Sequence, residues 1–170
     1  MFNSKQIKKQ KENILKIKAE KQMNKFTCCE CGNEVIFSTQ IGTAHRNHCP
    51  HCLASCHLDK EFSGDRAADC GGCMCAIGLT FKEEGIDKYH NQKEGELMII
   101  HECLVCGKVS INRLASDDDE AKILFLFHNS LSLNDKIKQK ISREGIKIAS
   151  SKDKEKVFIK LFGKSINKIR

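Results

Sequence analysis

Phe26-Thr27-Cys28-Cys29-Glu30-Cys31-Gly32-Asn33-Glu34-Val35 and His101-Glu102-Cys103-Leu104-Val105-Cys106-Gly107-Lys108-Val109 are two copies of one half-motif. Each is a CxxCG knuckle. Two sulfurs three residues apart, followed by glycine, fit a tight turn whose backbone N–H groups point at the thiolates. Two such knuckles supply the four thiolates that a closed tetrahedral zinc site requires. The repeat therefore predicts one zinc-ribbon-like site made of Cys28, Cys31, Cys103 and Cys106. Cys29, between two ligands, reads as a bystander thiol.

The long insert between the knuckles carries a further pair, Cys49-Pro50-His51-Cys52. It needs two more ligands. The candidates are His48, His51, Cys56, His57, Cys70, Cys73, Cys75 and His90. His48 and His51 lie beside or inside the pair, where reaching the same ion is strained. His57 follows Cys52 at a spacing suited to small Cys/His knuckles, and Cys70 precedes the flexible Gly71-Gly72. The expected second zinc site is thus Cys49, Cys52, His57 and Cys70. A redox-active CxxC would need a thioredoxin-like βαβ context, and none is present.

Composition agrees with metal crosslinking. The chain has 170 residues and 11 cysteines, an odd number, with no export signal at its N-terminus, so a disulfide framework is not expected. The N-terminal stretch is Lys-rich without Arg and carries Glu12 and Glu20, which also argues against a transit peptide. No apolar run approaches membrane-spanning length; the longest is Ile123-Leu124-Phe125-Leu126-Phe127. A soluble cytoplasmic protein with no membrane partner is expected.

Charge divides the chain into three. Residues 1–25 hold eight Lys and two acids, residues 26–119 eight Lys/Arg and fifteen acids, and residues 120–170 thirteen Lys/Arg and five acids. The expected organisation is a basic N-terminal arm (1–25), a double-zinc domain (26–119) and a basic C-terminal extension (120–170). Residues 1–25 read as an exposed helix or a solvated arm that orders on a polyanion. The middle has short strand-like runs at Glu34-Val35-Ile36-Phe37 and Leu97-Met98-Ile99-Ile100, too little for a large apolar core, so zinc is the expected substitute.

From Ser116 the pattern becomes helical. Asp117-Asp118-Asp119 precede a capped helix start at Ala121–Phe127, and Ser132 and Asp135 precede Lys136–Arg143, with Gly145 as the stop. Ile146-Lys147-Ile148 and Val157–Phe162 read as two strands around a polar turn, a helix-hairpin that resembles a winged-helix element. The predicted fold class is α+β: a small zinc-ribbon-like β core with a zinc-stapled insert, basic helical extensions and a C-terminal helix-hairpin.

The segment Arg46-Asn47-His48-Cys49-Pro50 resembles the bacterial RNHCP-domain family, named for those five residues. The resemblance continues through His51-Cys52-Leu53-Ala54-Ser55-Cys56-His57-Leu58-Asp59, Gly64-Asp65-Arg66, Cys70-Gly71-Gly72-Cys73-Met74, the second knuckle, Asn112-Arg113-Leu114-Ala115 and Asp117-Asp118. It spans roughly residues 26–119, leaving both basic flanks outside. It implies zinc binding and no particular activity. The family pattern has no cysteine at the positions of Cys29, Cys56, Cys73 and Cys75, with Pro usual at Cys75, which marks those four as extra thiols.

Arg46, Asn47, His48, Asp59, Asp65, Arg66, Asn112, Arg113, Asp117 and Asp118 are more polar than knuckle packing needs. Their carboxylates could orient His57, with Arg–Asp pairs tying the insert to the ribbon. Arg46, Arg66 and Arg113 could instead meet phosphate. Third, His48, His57 and Asp59 could resemble an HNH-type nuclease site, against which stand the commitment of His57 to zinc and the missing extended signature. The expected function is a non-catalytic zinc-stabilised RNA-binding protein, associated with the ribosome or its assembly. Two Zn²⁺ ions are expected as cofactors, and Arg46, Asn47, His48, Arg66, Asn112 and Arg113 are expected to contact RNA, in particular rRNA. Neither catalytic residues nor a small-molecule substrate are expected. The alternatives are an HNH-like metal-dependent nuclease and a protein–protein adaptor presenting the Asp117–Glu120 acidic edge.

Overall fold

The computed structural model describes residues 25–37, 46–61, 67–82 and 95–163, with Lys8, Lys11, Glu12, Leu15, Ile41, Asp65 and Gly85 individually. Most of the basic N-terminal arm, Arg66, His90 and residues 164–170 lie outside that set.

Two antiparallel sheets organise the chain. The small one is a hairpin of β1 (Lys25–Thr27) and β2 (Glu34–Ile36), paired Phe26 to Val35. The larger one runs in sequence order through β3 (Ser55–Cys56), β4 (Cys73–Phe81), β5 (Leu97–Cys103) and β6 (Val109–Arg113). β5 is the central strand, and its residues Leu97–His101 are buried on both faces. That explains why Leu97-Met98-Ile99-Ile100 is uninterrupted in its apolarity rather than alternating.

Each face of this strand is covered by a C-terminal helix. Helix α1 (Glu120–Ser130) begins at Asp119, whose carboxylate accepts the Lys122 N–H at 3.0 Å. It packs Ile123, Leu126 and Phe127 onto Leu53, Leu79, Leu97 and Ile99. Helix α2 (Asp135–Arg143) begins at Asn134, which caps the Ile137 N–H, and Gly145 follows it at φ +71°. Its Ile141 is fully buried against Ile100 and Val109 on the other face.

Beyond α2 the expected hairpin does not form. Ile148 makes only an isolated bridge to Thr80, and Ala149 N–H donates to the Leu79 carbonyl at 2.8 Å. Residues Lys154–Phe162 are a helix, α3, entered through a 3-10 turn at Ser151–Asp153 and closed by Gly163 at φ +64°. Asp153 accepts from both the Ser150 N–H and its hydroxyl, which starts the helix. Val157 and Leu161, four apart, turn to the core. The strand expected at 157–162 does not form; the period of that apolar run is ambiguous over so few residues.

Residues 120–163 are therefore part of the same packing unit as the strands, although they are basic. Ile141→Ala would remove a side chain with no exposed surface and is expected to cost roughly 2–5 kcal/mol. Chemical denaturation of the full chain will show this as a lowered midpoint with the metal content intact.

Candidate metal centres

Three knuckles of the same backbone design position the cysteines. In each, the first cysteine's carbonyl accepts the N–H of the residue after the second cysteine: Gly32 to Cys28 (3.1 Å), Leu53 to Cys49 (2.9 Å) and Gly107 to Cys103 (2.9 Å). In each, the first cysteine's own N–H donates to a carbonyl five residues on: Asn33, Ala54 and Lys108. The residue that closes the turn is left-handed every time, with φ +73° at Gly32, +75° at Gly107 and +63° at Leu53. Cys49–Leu53 is thus a knuckle with leucine in the glycine position. Left-handed backbone costs a leucine about 1–2 kcal/mol, and burial of Leu53 in the α1-facing core offsets it.

These turns bring eight side chains together in two groups. Cys28, Cys31, Cys49 and Cys52 form one; His57, Cys70, Cys103 and Cys106 form the other, with all donor atoms of a group within 4.8 Å of one another. The partition differs from the one expected. Cys103 and Cys106 do not join Cys28 and Cys31, and Cys49 and Cys52 do not join His57 and Cys70. Strand register is the reason. β3 pairs Cys56 with Cys73, and β4 pairs Met74 with Cys103, so the strand ends carrying His57, Cys70 and the Cys103–Cys106 turn meet at one end of the large sheet. The β1–β2 hairpin instead packs Phe26, Cys28 and Val35 against Cys49 and Ala54.

Geometry and donor chemistry fit a tetrahedral ion. Zinc–sulfur bonds of about 2.3 Å imply sulfur separations of about 3.8 Å. The separations are 3.4 Å for Cys28–Cys52, 3.7 Å for Cys31–Cys49 and 3.6 Å for Cys70–Cys103, with 3.2 Å from Cys106 Sγ to His57 Nδ1. His57 would therefore ligate through Nδ1. Cys70-Gly71-Gly72-Cys73 also has CxxC spacing, but only Cys70 enters the group. Gly72 is needed there because an added Cβ would lie 2.7 Å from Val105 Cγ2 and 2.9 Å from Cys103 Sγ.

Electrostatics point the same way. Burial pushes the Cys49 thiol up to about 11 and the Cys70 thiol up to about 12, and it raises Cys52 as well. Packing thiolates together without a cation is unfavourable, and a dication reverses the balance. Burial, with Lys108 behind it, lowers His57 against the pull of Asp59, keeping the imidazole neutral as a ligand must be. Metal entry thus displaces thiol protons. Affinity is expected to fall steeply as pH is lowered from 8 to 6, by about one decade per pH unit for each proton displaced. Competition titrations with a chromophoric chelator will read this slope.

Beside the first group lies a buried polar network. Arg46 donates from both terminal nitrogens to Asp117 (2.7 and 2.6 Å) and from Nη2 to Asp118 (2.8 Å). His48 Nε2 sits between both Asp118 oxygens at 2.9 and 2.8 Å, and the Ala115 N–H donates to the same carboxylate. The Asp119 N–H donates to the Pro50 carbonyl. The network ties the third knuckle to the start of α1. Its interior position overturns the reading of Arg46 and His48 as RNA contacts: the Arg46 and Asp118 side chains have no exposed surface. Of the Asp117–Glu120 edge considered for an adaptor, the network buries Asp118, while Asp117, Asp119 and Glu120 stay exposed. His48, His57 and Asp59 are not assembled as a nuclease site, since His48 faces Asp118 and His57 faces the sulfurs.

The other expected contacts vary. Asn47 donates to Asp59, and Asn112 donates to Ser55 Oγ and to His101 Nδ1. Arg113 is exposed and pairs with Glu96 at 2.9 Å. Arg66 lies outside the described residues. No sequence signal singles out His101. It is fully buried, burial lowers it to about 3, and its Nε2–H donates to the Leu53 carbonyl at 2.7 Å. Its role is to brace the leucine knuckle. Cys29, expected to be a bystander, is bonded to Cys73.

A small α+β fold whose loops close two four-donor, thiolate-rich groups defines a metal-binding knuckle domain. The family described as RNHCP domain matches residues 23–124, and the chain belongs to that family. No curated protein and no solved structure matches it. The family's five-letter motif now has a structural account. Arg46 and His48 hold the Asp117-Asp118 pair, Cys49 is a ligand donor, and the Pro50 carbonyl anchors the α1 cap.

Proposed function

We propose that this chain is a non-catalytic RNA-binding protein stapled by two Zn²⁺ ions and associated with rRNA on the ribosome or its assembly intermediates. Zinc is favoured over other divalent ions by the donor sets, four thiolates and three thiolates with one imidazole, at tetrahedral separations. The observation that carries the RNA reading is charge placement. Residues 26–119 have an acidic excess of seven, and the two metal groups would add negative charge, whereas the flanks carry excesses of six and eight cations. Phosphate contacts would come from the flanks. α2, α3 and the 3-10 turn leading into α3 carry Lys136, Lys138, Arg143, Lys152, Lys154 and Lys160, and both helices pack on the core through Ile141, Val157 and Leu161. With 6% aromatic residues and no Trp, the surface is poorly equipped to stack single-stranded bases.

Backbone neutralisation makes such binding salt-dependent. Full-length protein is expected to sediment with ribosomes at low salt and dissociate as salt rises. Changing the exposed Lys136, Lys152 and Lys154 together to Gln should flatten the log–log slope by roughly 2–3 with zinc content unchanged. Deleting the C-terminal segment is a poorer test, because Ala149 and Val157 belong to the core. Salt-insensitive association, or none with ribosomes, would remove the RNA reading.

A further inference from the structure

Cys29 and Cys73 belong to neither donor group, yet a disulfide joins them. Each is set into the frame of a different metal site. Cys29 lies between the donors Cys28 and Cys31. Cys73 stands three residues after the donor Cys70, and its carbonyl accepts the Leu104 N–H inside the knuckle of Cys103 and Cys106. Cys29 Sγ also lies 3.3 Å from the Ser55 carbonyl, so its sulfur is turned away from its flanking ligands and towards the large sheet.

We propose that Cys29 and Cys73 are a redox modification site, oxidised by a peroxide or a low-molecular-weight disulfide, whose bond locks the hairpin of the first metal site to the strand beside the second. Cys29 is exposed and Cys73 half-buried, so an oxidant reaches the pair at Cys29. With hydrogen peroxide, the Cys29 thiolate attacks one oxygen and the O–O bond breaks, giving a sulfenic acid and hydroxide, which takes up the proton released by the Cys29 thiol to become water. The Cys73 thiolate then displaces the sulfenic oxygen as hydroxide, and the proton released by the Cys73 thiol makes it a second water. Two thiols have lost two protons and two electrons, and one S–S bond has formed. With a low-molecular-weight disulfide, a mixed disulfide at Cys29 is resolved by Cys73 and two small thiols leave.

The lock matters because of topology. Among the described residues, β1 and β2 pair only with each other, and the hairpin reaches the rest of the fold through a small cluster around Phe26 and Val35 and through the shared metal site. The bond from Cys29 to β4 is a covalent second tether. When the first ion leaves the oxidised chain, Cys28 and Cys31 stay close to Cys49 and Cys52 and recapture it. In the reduced chain the hairpin lacks this tether and moves away more readily.

The test uses the full-length, metal-loaded protein, reduced with dithiothreitol and then exposed to hydrogen peroxide or glutathione disulfide. Differential alkylation with peptide mass spectrometry should find a Cys29–Cys73 crosslink with Cys56 and Cys75 still alkylatable, and both metals retained. Release of one metal equivalent to excess chelator should slow on the order of tenfold on oxidation, as expected when a lost ligand pair is held intramolecularly. Cys29→Ser and, independently, Cys73→Ala should abolish the difference while keeping the reduced rate. The proposal is overturned by Cys29 remaining alkylatable after oxidation, by a Cys56–Cys73 crosslink in its place, by metal ejection with bonds among ligand cysteines, or by equal release rates in oxidised and reduced wild type.

Discussion

Cys106→Ser protein will retain one metal equivalent and lose the other. Cys106 is exposed, so the serine is accommodated sterically, and the loss is one of coordination. Structural zinc contributes on the order of 10 kcal/mol or more to small metal folds, which is comparable to the entire stability of a typical domain. The segment carrying His57, Cys70 and the β5–β6 turn should therefore lose its order. The group of Cys28, Cys31, Cys49 and Cys52 shares no donor with it and should keep its ion. Cys31→Ser should do the reverse. Native mass spectrometry counts the ions directly. If Cys31→Ser and Cys106→Ser emptied the same site, the two knuckles would share one ion and the partition would be wrong.

Asp118→Ala is expected to be nearly as severe. The carboxylate is the only member of its network bonded to Arg46, His48 and the Ala115 N–H together. Removing it strands a buried imidazole and leaves a buried guanidinium held by Asp117 alone, from a part-exposed position. Removing one partner of a buried ion pair costs roughly 3–5 kcal/mol. The third knuckle also loses its tie to the α1 cap, so the first site should release metal faster. Arg46→Met with Asp118→Leu, which removes both charges, should recover much of the loss. Denaturant midpoints for the single and double variants measure the coupling; a single variant as stable as the wild type would show that the network does not hold the fold.

The donors were legible in the sequence because a knuckle is a local object. Spacing and a following glycine mark Cys28–Gly32 and Cys103–Gly107, and their likeness is real. It reflects the same turn, not a shared ion. Which knuckles meet depends on the pairing of Cys56 with Cys73 and of Met74 with Cys103, contacts that no local pattern encodes. The third knuckle was harder to recognise as an equal because Leu53 replaces glycine, its backbone cost offset by burial. The expectation of Arg46 as an RNA contact fails for a similar reason, whereas the alternative expectation of an Arg–Asp pair tying the insert is met. An arginine is usually solvated, and only the fold brings Asp117 and Asp118 across about 70 residues to enclose it. Helix α1 is legible through its cap and α2 through its periodicity, but the expected Ser132–Asp135 capping box does not form: Asn134 caps α2, and the Ser132 hydroxyl donates to the Asn129 carbonyl. For α3, the capping pair Ser150 and Asp153 and the closing Gly163 carried a helix signal that the dense apolar run concealed.

The most direct test of the two-centre account is a ¹H–¹¹³Cd correlation spectrum of the cadmium-substituted protein, in which each cysteine β-proton reports the ion its sulfur binds. The structure predicts two cadmium signals. Cys28, Cys31, Cys49 and Cys52 should correlate with one, and Cys70, Cys103, Cys106 and the His57 ring with the other. Correlations from Cys28 and Cys103 to the same cadmium would contradict it.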